Sequence, residues 1–517
     1  MMTRRVLLLS FAAGFLLSTA VAGCSAKGDA AAVAARDEQI AQAQPQPVPN
    51  QGQRQIQTPF MRSLDDATRT ATDIADGDRR TVQRSLEEGD RIFARAKLQN
   101  REAIRQVNRR PVVPGPRSPN IVLLLLPQVG PDDLGSYAGQ DRGTPHLDRI
   151  AAEGVRFTNY YAGSTLPIPS RATLMTGRHT GHVPIRGNNP NIPLDAADVT
   201  LAEVLWKAGL ITYGIGRWDL GDPGTSGTPN PQGFDLWFGS VDRRLATVVY
   251  PVNLWRNTTQ VPVQANAGGK QGQPANSLFV QEATALIDAQ TRTSRPFFLF
   301  LPFADLTASS GLAVNSDRTA LMRGLDAEVG RVVAALETRG LLDNTLVVVT
   351  SDVPGVAGVR PAGTTASIHD LELRVPLLMR YPRLIGSRAV DDRLSAHWDL
   401  LATLASSVSS WRIPPGMDGV PLLSDRRDVA SLMRHEMLYW ELHEPNFVQI
   451  VRYNSWWAAR AGAGPWRLYD LTGDAGLQQD LSSAQGQVLA RIDKFARASH
   501  AASPHWRQGP VAARQGG

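Results

Sequence analysis

Continuous apolar runs separated by amphipathic stretches organise the middle of the chain. Residues 121–126 ("IVLLLL") have no polar interruption, the pattern of a strand buried on both faces of a parallel sheet. "TPHLDRIAAEG" places Thr144 as N-cap, Pro145 at the first helical position and Gly154 at C′, which predicts a helix. "TLAEVLWKAG" at 200–209 repeats the Thr-first, Gly-last arrangement. Between them "PSRATLMTGR" (169–178) predicts another helix, with Ser170 as its N-cap or a first-turn residue. Residues 212–216 and 296–302 read as strands, and 317–339 as a long helix stopped by Gly340. "NTLVVVTSD" (344–352) reads as a strand ending on a carboxylate, followed by the apolar run "RVPLLMRYP" (374–382). Strands alternating with helices predict an α/β domain with a largely parallel sheet flanked by helices, over 116–413.

After "PPGMDGVPLL" (414–423) the periodicity changes. Alternating segments at 437–442, 447–453 and 466–471, then a helical stretch at 484–499, predict a smaller antiparallel α+β subdomain over 414–500. Residues 501–517 read as a tail. On the N-terminal side, 62–115 is polar with a weak helical period and reads as an exposed helical spacer. Residues 24–61, rich in Ala, Gln and Pro, read as a flexible tether.

Composition narrows the function. The chain has 517 residues, 42% of them hydrophobic, enough for a sizeable core. The net charge of +6 is carried by scattered Arg rather than a dense basic stripe, which argues against nucleic acid. A basic surface suits anionic lipid or sulfated glycan. The one cysteine, Cys24, excludes disulfides and multi-thiolate metal sites within the chain. It closes "VAGC", after a short basic start and an apolar run at 6–17 too short to span a bilayer comfortably. This resembles a bacterial lipoprotein signal covering residues 1–23, with Cys24 lipidated. Each buried CH₂ of the acyl chains would contribute about 0.8 kcal/mol of membrane affinity. The expected location is the bacterial cell envelope, lipid-anchored. Ser25 after the cysteine, rather than Asp, favours the outer membrane facing the periplasm.

The strings "SPNIVLLLL", "GTPHLDRIAAEGVRFTNYYAGS", "PSRATLMTGR", "LAEVLWKAGLITYGIGRWDLG", "QGFDLWFG", "RPFFLFLPF", "NTLVVVTSD", "RVPLLMRYP" and "WRLYDLTGD" occur in an order that resembles the sulfatases of the alkaline phosphatase superfamily. The resemblance runs from about residue 119 to 494. It implies an alkaline-phosphatase-like fold and sulfate-ester hydrolysis. In that family the nucleophile is a formylglycine made from Cys or Ser in Cys/Ser-x-Pro-x-Arg. A divalent cation, usually calcium, is held by an Asp-Asp pair and by a later Asp with Asn or His.

Carried over position by position, the nucleophile falls on Pro167, while the arginine that would orient it is retained as Arg171. The Asp-Asp pair falls on Pro127 and Gln128. The later carboxylate is Asp352, but its partner is Val353. The family's Gly-Lys-Trp-His becomes Gly216-Arg217-Trp218-Asp219. A family His falls near Thr307 and a family Lys near Thr365. Asp132 and Asp133 imitate the metal-binding string, but the spacing puts them past the strand end, where only a shifted loop would return them to a metal.

Calcium takes roughly 6–8 oxygen ligands, and here only Asp352 and the Gln128 amide remain as vestigial ligands. The joint losses predict a catalytically inactive relative with a binding, scaffolding or regulatory role and no cofactor. One alternative is an active metal-dependent ester hydrolase with a rearranged site, using calcium. Another is a lipoprotein that binds sulfated or other anionic glycans through Arg171 and Arg217. In that arrangement Asp219 is expected to pair with one of these arginines; the alternative to anion binding is that they form an internal salt-bridge network filling the vacated site. In "GRHTGH", His179 and His182 could bind zinc or could be surface-loop histidines.

Overall fold

The computed structural model describes residues 118–506, apart from 190–191, 244–246, 294, 307–316, 356–369, 409–415, 424–432 and 445. The signal, Cys24, the tether, the spacer, and positions Thr307 and Thr365 lie outside the described residues. Among the described residues there are sixteen strands: β1 Asn120–Leu126, β2 Val155–Phe157, β3 Tyr160–Tyr161, β4 Ile211–Arg217, β5 Leu236–Ser240, β6 Asn253–Arg256, β7 Thr259–Pro262 and β8 Phe297–Pro302. They continue with β9 Thr345–Ser351, β10 Leu377–Arg380, β11 Ala389–Asp391, β12 Ser395–Ala396, β13 Met437–Leu442, β14 Val448–Tyr453, β15 Trp456–Ala461 and β16 Arg467–Asp470. The principal helices are α1 Pro145–Ala152, α2 Pro167–Thr176, α3 Leu201–Lys207, α4 Ala275–Gln290, α5 Arg318–Thr338, α6 Asp399–Ser407 and α7 Gly486–Ser499.

Ten strands form one sheet in the order β11-β2-β10-β9-β1-β8-β4-β5-β6-β7. Its centre, β9-β1-β8-β4-β5, is parallel throughout. The margins are mixed: β10 runs antiparallel to β9 and β2, and β5-β6-β7 is antiparallel. The uninterrupted apolar character of β1 follows from two-sided burial. Ile121, Leu123 and Leu125 pack with α2, α3 and α6, and Val122, Leu124 and Leu126 pack with α1, α4 and α5. A period of two in direction with no period in polarity is what a covered parallel strand requires.

The C-terminal sheet β13-β14-β15-β16 is wholly antiparallel. One face packs Trp440, Ile450 and Trp457 against Tyr161 and Trp398 of the main domain, and the other is covered by Ile492 and Ala496 of α7. β15 has no counterpart among the expected strands. Its sequence "WWAARA" buries Ala458 and Ala459 in succession, so the alternation that betrays its neighbours is missing. β5, β6, β7 and α4 likewise exceed the expected elements.

Two expected caps are built differently. Thr200 closes a capping box with Glu203, as its position implies. Thr144 does not cap α1. Its hydroxyl donates to Asp148 and accepts from the Gly135 N–H, while the free N–H groups of His146 and Leu147 go to Asp326 of α5. Gly154 is not in a left-handed conformation. A Cβ there would lie 2.0 Å from the Met379 carbonyl oxygen, so the glycine serves the close approach of β10. Among the described residues, no helix is long and apolar enough to cross a membrane.

Candidate functional site

The residues singled out from the sequence converge at the C-terminal ends of the parallel strands, where open α/β sheets carry their ligands. Pro127 and Gln128 follow β1, Arg217 ends β4 with Asp219 just beyond, and Asp352 follows β9. α2 supplies Pro167 and Arg171. β4 reaches this point through Gly216, whose φ is +140° and whose Cβ would lie 1.9 Å from the Pro302 carbonyl oxygen. Only glycine lets β4 deliver Arg217 there.

Pro167 is the first residue of α2, a position that asks nothing of its missing N–H and suits its fixed φ. Pro169 removes a second first-turn donor. Helix N-termini hold anions through exactly such N–H groups, so this one is poorly equipped to do so. Ser170 is not a cap. Its hydroxyl lies 2.5 Å from the Asp352 carbonyl and 3.0 Å from His397 Nδ1, and accepts from the Gly163 N–H. Both Ser170 and His397 are completely buried, and burial pushes the His397 pKa down to about 4. The pair is a buried structural joint with no access for substrate.

Asp352 is fully employed. Oδ1 accepts from the Gln128 and Val353 backbone N–H groups at 3.0 and 2.8 Å, and Oδ2 accepts from Arg171 Nη2 at 2.9 Å. Gln128 has φ +52°, rare for this residue type, and its carbonyl accepts from Arg318 at 2.6 Å. Arg318 also clamps both oxygens of Asp133, and Asp133 in turn caps the Gly130 N–H. The 131–133 turn therefore directs Asp133 to an arginine. The residues present do not fit calcium: three protein N–H donors already occupy the remaining carboxylate, one of them a guanidinium, Val353 is apolar, and a second guanidinium stands on the Gln128 carbonyl.

Arg171 and Arg217 are brought together, and Asp219 lies between them. Arg171 Nη1 donates to the Arg217 carbonyl at 2.7 Å and lies 3.5 Å from Asp219 Oδ2, and Arg217 Nε lies 2.5 Å from the same oxygen. Asp219 is therefore in ion-pair distance of both arginines. Arg243, also half-buried here, has its pKa lowered by burial against the pull of Asp222 and Asp219. Arg243 and Arg318 are neighbours of this network that the motif comparison missed. Their only signal in sequence was being arginines near a motif. A groove of about 640 Å³ elsewhere, lined by Arg156, Arg388, Asp141 and Asp148, shares no residue with this site.

The structure brings a third group to the histidine pair. His182 Nδ1 lies 2.9 Å from Asp418 Oδ1, and His179 Nε2 lies 3.7 Å from Asp418 Oδ2. Three such groups could hold a metal ion. The tautomer argues otherwise. His179 Nδ1 accepts the Gly181 N–H, so the ring proton sits on Nε2, the atom that would have to bind the ion. His179 is not a surface-loop residue: it is 7% exposed, packed edge-on to Trp398 and Tyr439, and burial brings its pKa to about 4. Asp418 also accepts the His179 backbone N–H, so the group clasps the end of α2 to the 416–419 segment.

The family model for sulfatases matches residues 119–305 and 313–409, more than half of the chain. The chain belongs to the sulfatase family. The N-acetylgalactosamine-6-sulfatase of Sus scrofa is 30% identical over 61% of this chain and 68% of its own length. That of Rattus norvegicus is 29% identical over 60% of this chain and 66% of its own length, so the chain spans about two thirds of these relatives. Steryl-sulfatase of Mus musculus is 28% identical over 76% of this chain and 83% of its own length. Among solved structures, Ps i-CgsB in complex with k-i-k-neocarrahexaose superposes with a TM-score of 0.62 at 22% identity, covering 76% of this chain and 95% of that one. PsFucS1 sulfatase from Pseudoalteromonas sp. gives 0.59 at 20% identity, covering 78% and 92%. These likenesses carry the fold. In this sulfatase-family chain, ion pairs among Arg171, Arg217, Asp219 and Asp352 join α2 to the ends of β4 and β9.

Proposed function

We propose that this sulfatase-family protein is catalytically silent and works by binding, scaffolding or regulation at the bacterial cell envelope. The observation that carries the reading is the closed Asp352 carboxylate: two backbone N–H groups and Arg171 occupy it, with Pro167 at the nucleophile position. A family hydrolysis needs an electrophile-activating cation and an attacking oxygen. Among the described residues, the motif positions offer neither an open ligand set for the one nor a hydroxyl or thiol for the other. The sequence around Cys24 supports an anchor through N-terminal lipid in the outer membrane, facing the periplasm.

The test is turnover of aryl sulfate, phosphate and phosphonate esters by the purified full chain, with and without added calcium. Background rates are expected. Metal-dependent turnover abolished by Arg171→Ala would overturn the reading in favour of a hydrolase with a rearranged site. A glycan-binding role through Arg171 and Arg217 requires those guanidiniums to leave Asp352 and Asp219, so sulfated saccharides are expected to leave the wild-type melting temperature unchanged. Cys24→Ser is expected to release the protein from membranes, and an unchanged membrane fraction would refute the anchor.

A further inference from the structure

We infer that Asp219 is a built-in occupant of an anion site: its carboxylate fills the position between Arg171 and Arg217 that a sulfate-class oxyanion would otherwise take. The inference rests on the reading of the site as silent and adds what keeps it closed.

Three observations point to it. First, the side chains of Asp219 and Arg171 are 1% and 2% exposed, and Arg217 is 15% exposed at their edge. Two guanidiniums converging on one buried position form the donor set that recognises planar or tetrahedral oxyanions. Second, the carboxylate fits that set poorly. Although Arg217 Nε is only 2.5 Å away, neither Asp219 oxygen receives a well-aligned hydrogen bond among the described residues, and the Nε atoms of Arg171 and Arg217 lack one too. A ligand cut for these donors would not leave four polar atoms in that state. Third, Asp219 reaches the position only by adopting φ +69°, a conformation uncommon outside glycine. Its anchor is Trp218, buried against Trp237 and Phe234 and bonded to the Gly227 carbonyl.

Charge explains why the position is filled. Arg171 and Arg217 are balanced by Asp352 and Asp219. Without Asp219, one guanidinium in a largely buried setting has no counter-charge, which is costly unless an anion enters. An anion tethered to the chain beside its arginines out-competes a dissolved one through its effective concentration.

The experiment compares wild type with Asp219→Gly and Asp219→Asn, both of which tolerate positive φ. Melting temperature and calorimetric titration are read in sodium sulfate against sodium chloride at matched ionic strength. Wild type is expected to show only the general, non-saturable stabilisation that sulfate gives any protein. Each variant is expected to gain a saturable, sulfate-specific stabilisation, with affinity at least about tenfold tighter than wild type. Adding Arg217→Met is expected to abolish the gain. Variants that respond to sulfate no more than wild type overturn the inference. So does sulfate binding of equal affinity in wild type, or a gain seen with formate and not with sulfate. If both variants fail to fold in chloride, recovery on refolding in sulfate that is lost when Arg217→Met is added supports the inference, and no recovery, or equal recovery with Arg217→Met, overturns it. Sulfate-ester turnover by wild type would instead defeat the silent-site reading, so the two failures are distinguishable.

Discussion

Pro167 and Asp352 are positions of two different physical kinds. Pro167 is cheap, because the first residue of a helix has no hydrogen bond to lose. Pro167→Ala is expected to change unfolding free energy by less than about 1 kcal/mol in urea titrations. Pro167→Cys, produced with a formylglycine-generating enzyme, is expected to remain without sulfatase activity. A nucleophile alone does not reopen a carboxylate held by Arg171, Gln128 and Val353. A rate on aryl sulfate rising with calcium in that variant would contradict this. Asp352 is expensive. Its removal strands a buried guanidinium and two N–H groups, and Asp352→Ala is expected to cost about 3–5 kcal/mol, read as a fall in the urea midpoint. At this scale the sequence showed which residue stands at each motif position, since that is a residue identity. How those residues are joined was not legible, because the links Arg318 to Asp133 and Arg171 to Asp352 join residues 185 and 181 positions apart.

At the scale of elements, legibility followed the strength of the period. β1, β9 and α5 were evident because two-sided burial or a long amphipathic stripe repeats over many residues. β15 was not, because its paired alanines carry neither pattern. The caps divide the same way. The Thr200–Glu203 box is local and could be read. The cap on α1 comes from Asp326, 180 and 179 residues from its two donors. Asp326→Ala is expected to cost about 1–2 kcal/mol of stability, whereas a Thr144→Ser exchange, which keeps the hydroxyl bridge, is expected to be near neutral. Urea unfolding of the two variants checks the pair, and a neutral Asp326→Ala would mean that the His146 and Leu147 N–H groups do not depend on Asp326. Gly154→Ala is expected to destabilise by at least about 1–3 kcal/mol, since its Cβ meets backbone rather than a flexible side chain.

For the whole molecule, the buried histidines set the pH response. His179 and His397 titrate near 4 in the folded chain because burial disfavours their charged forms. Unfolded histidine titrates near 6.5. Between those values the unfolded state binds more protons, so stability falls as pH falls, by about 3 kcal/mol per histidine on reaching pH 4. His435 runs the other way. Burial alone would lower its pKa, but Asp399 outweighs that and raises it, so its contribution is complete below 6.5 and fades as pH rises. Two large terms oppose one, and the melting temperature is expected to drop between pH 7 and pH 5. A flat profile would contradict the assignment. Chelation with EDTA is expected to leave the melting temperature unchanged, because no stability term of the closed site is borrowed from an ion. The fold class itself was legible from the order of β and α patterns. The antiparallel margins were not, because strand direction is decided by neighbours far along the chain.

The Arg171–Asp352 pair has a consequence for how this protein is made. A protein whose centre is completed by a dissolved ion is finished only where that ion is plentiful, and is a mixture of filled and empty molecules elsewhere. Here the counter-charge is written into the polypeptide. With the site closed as proposed, a molecule that folds is already whole at this point, and a metal supply finds no second form of it to select.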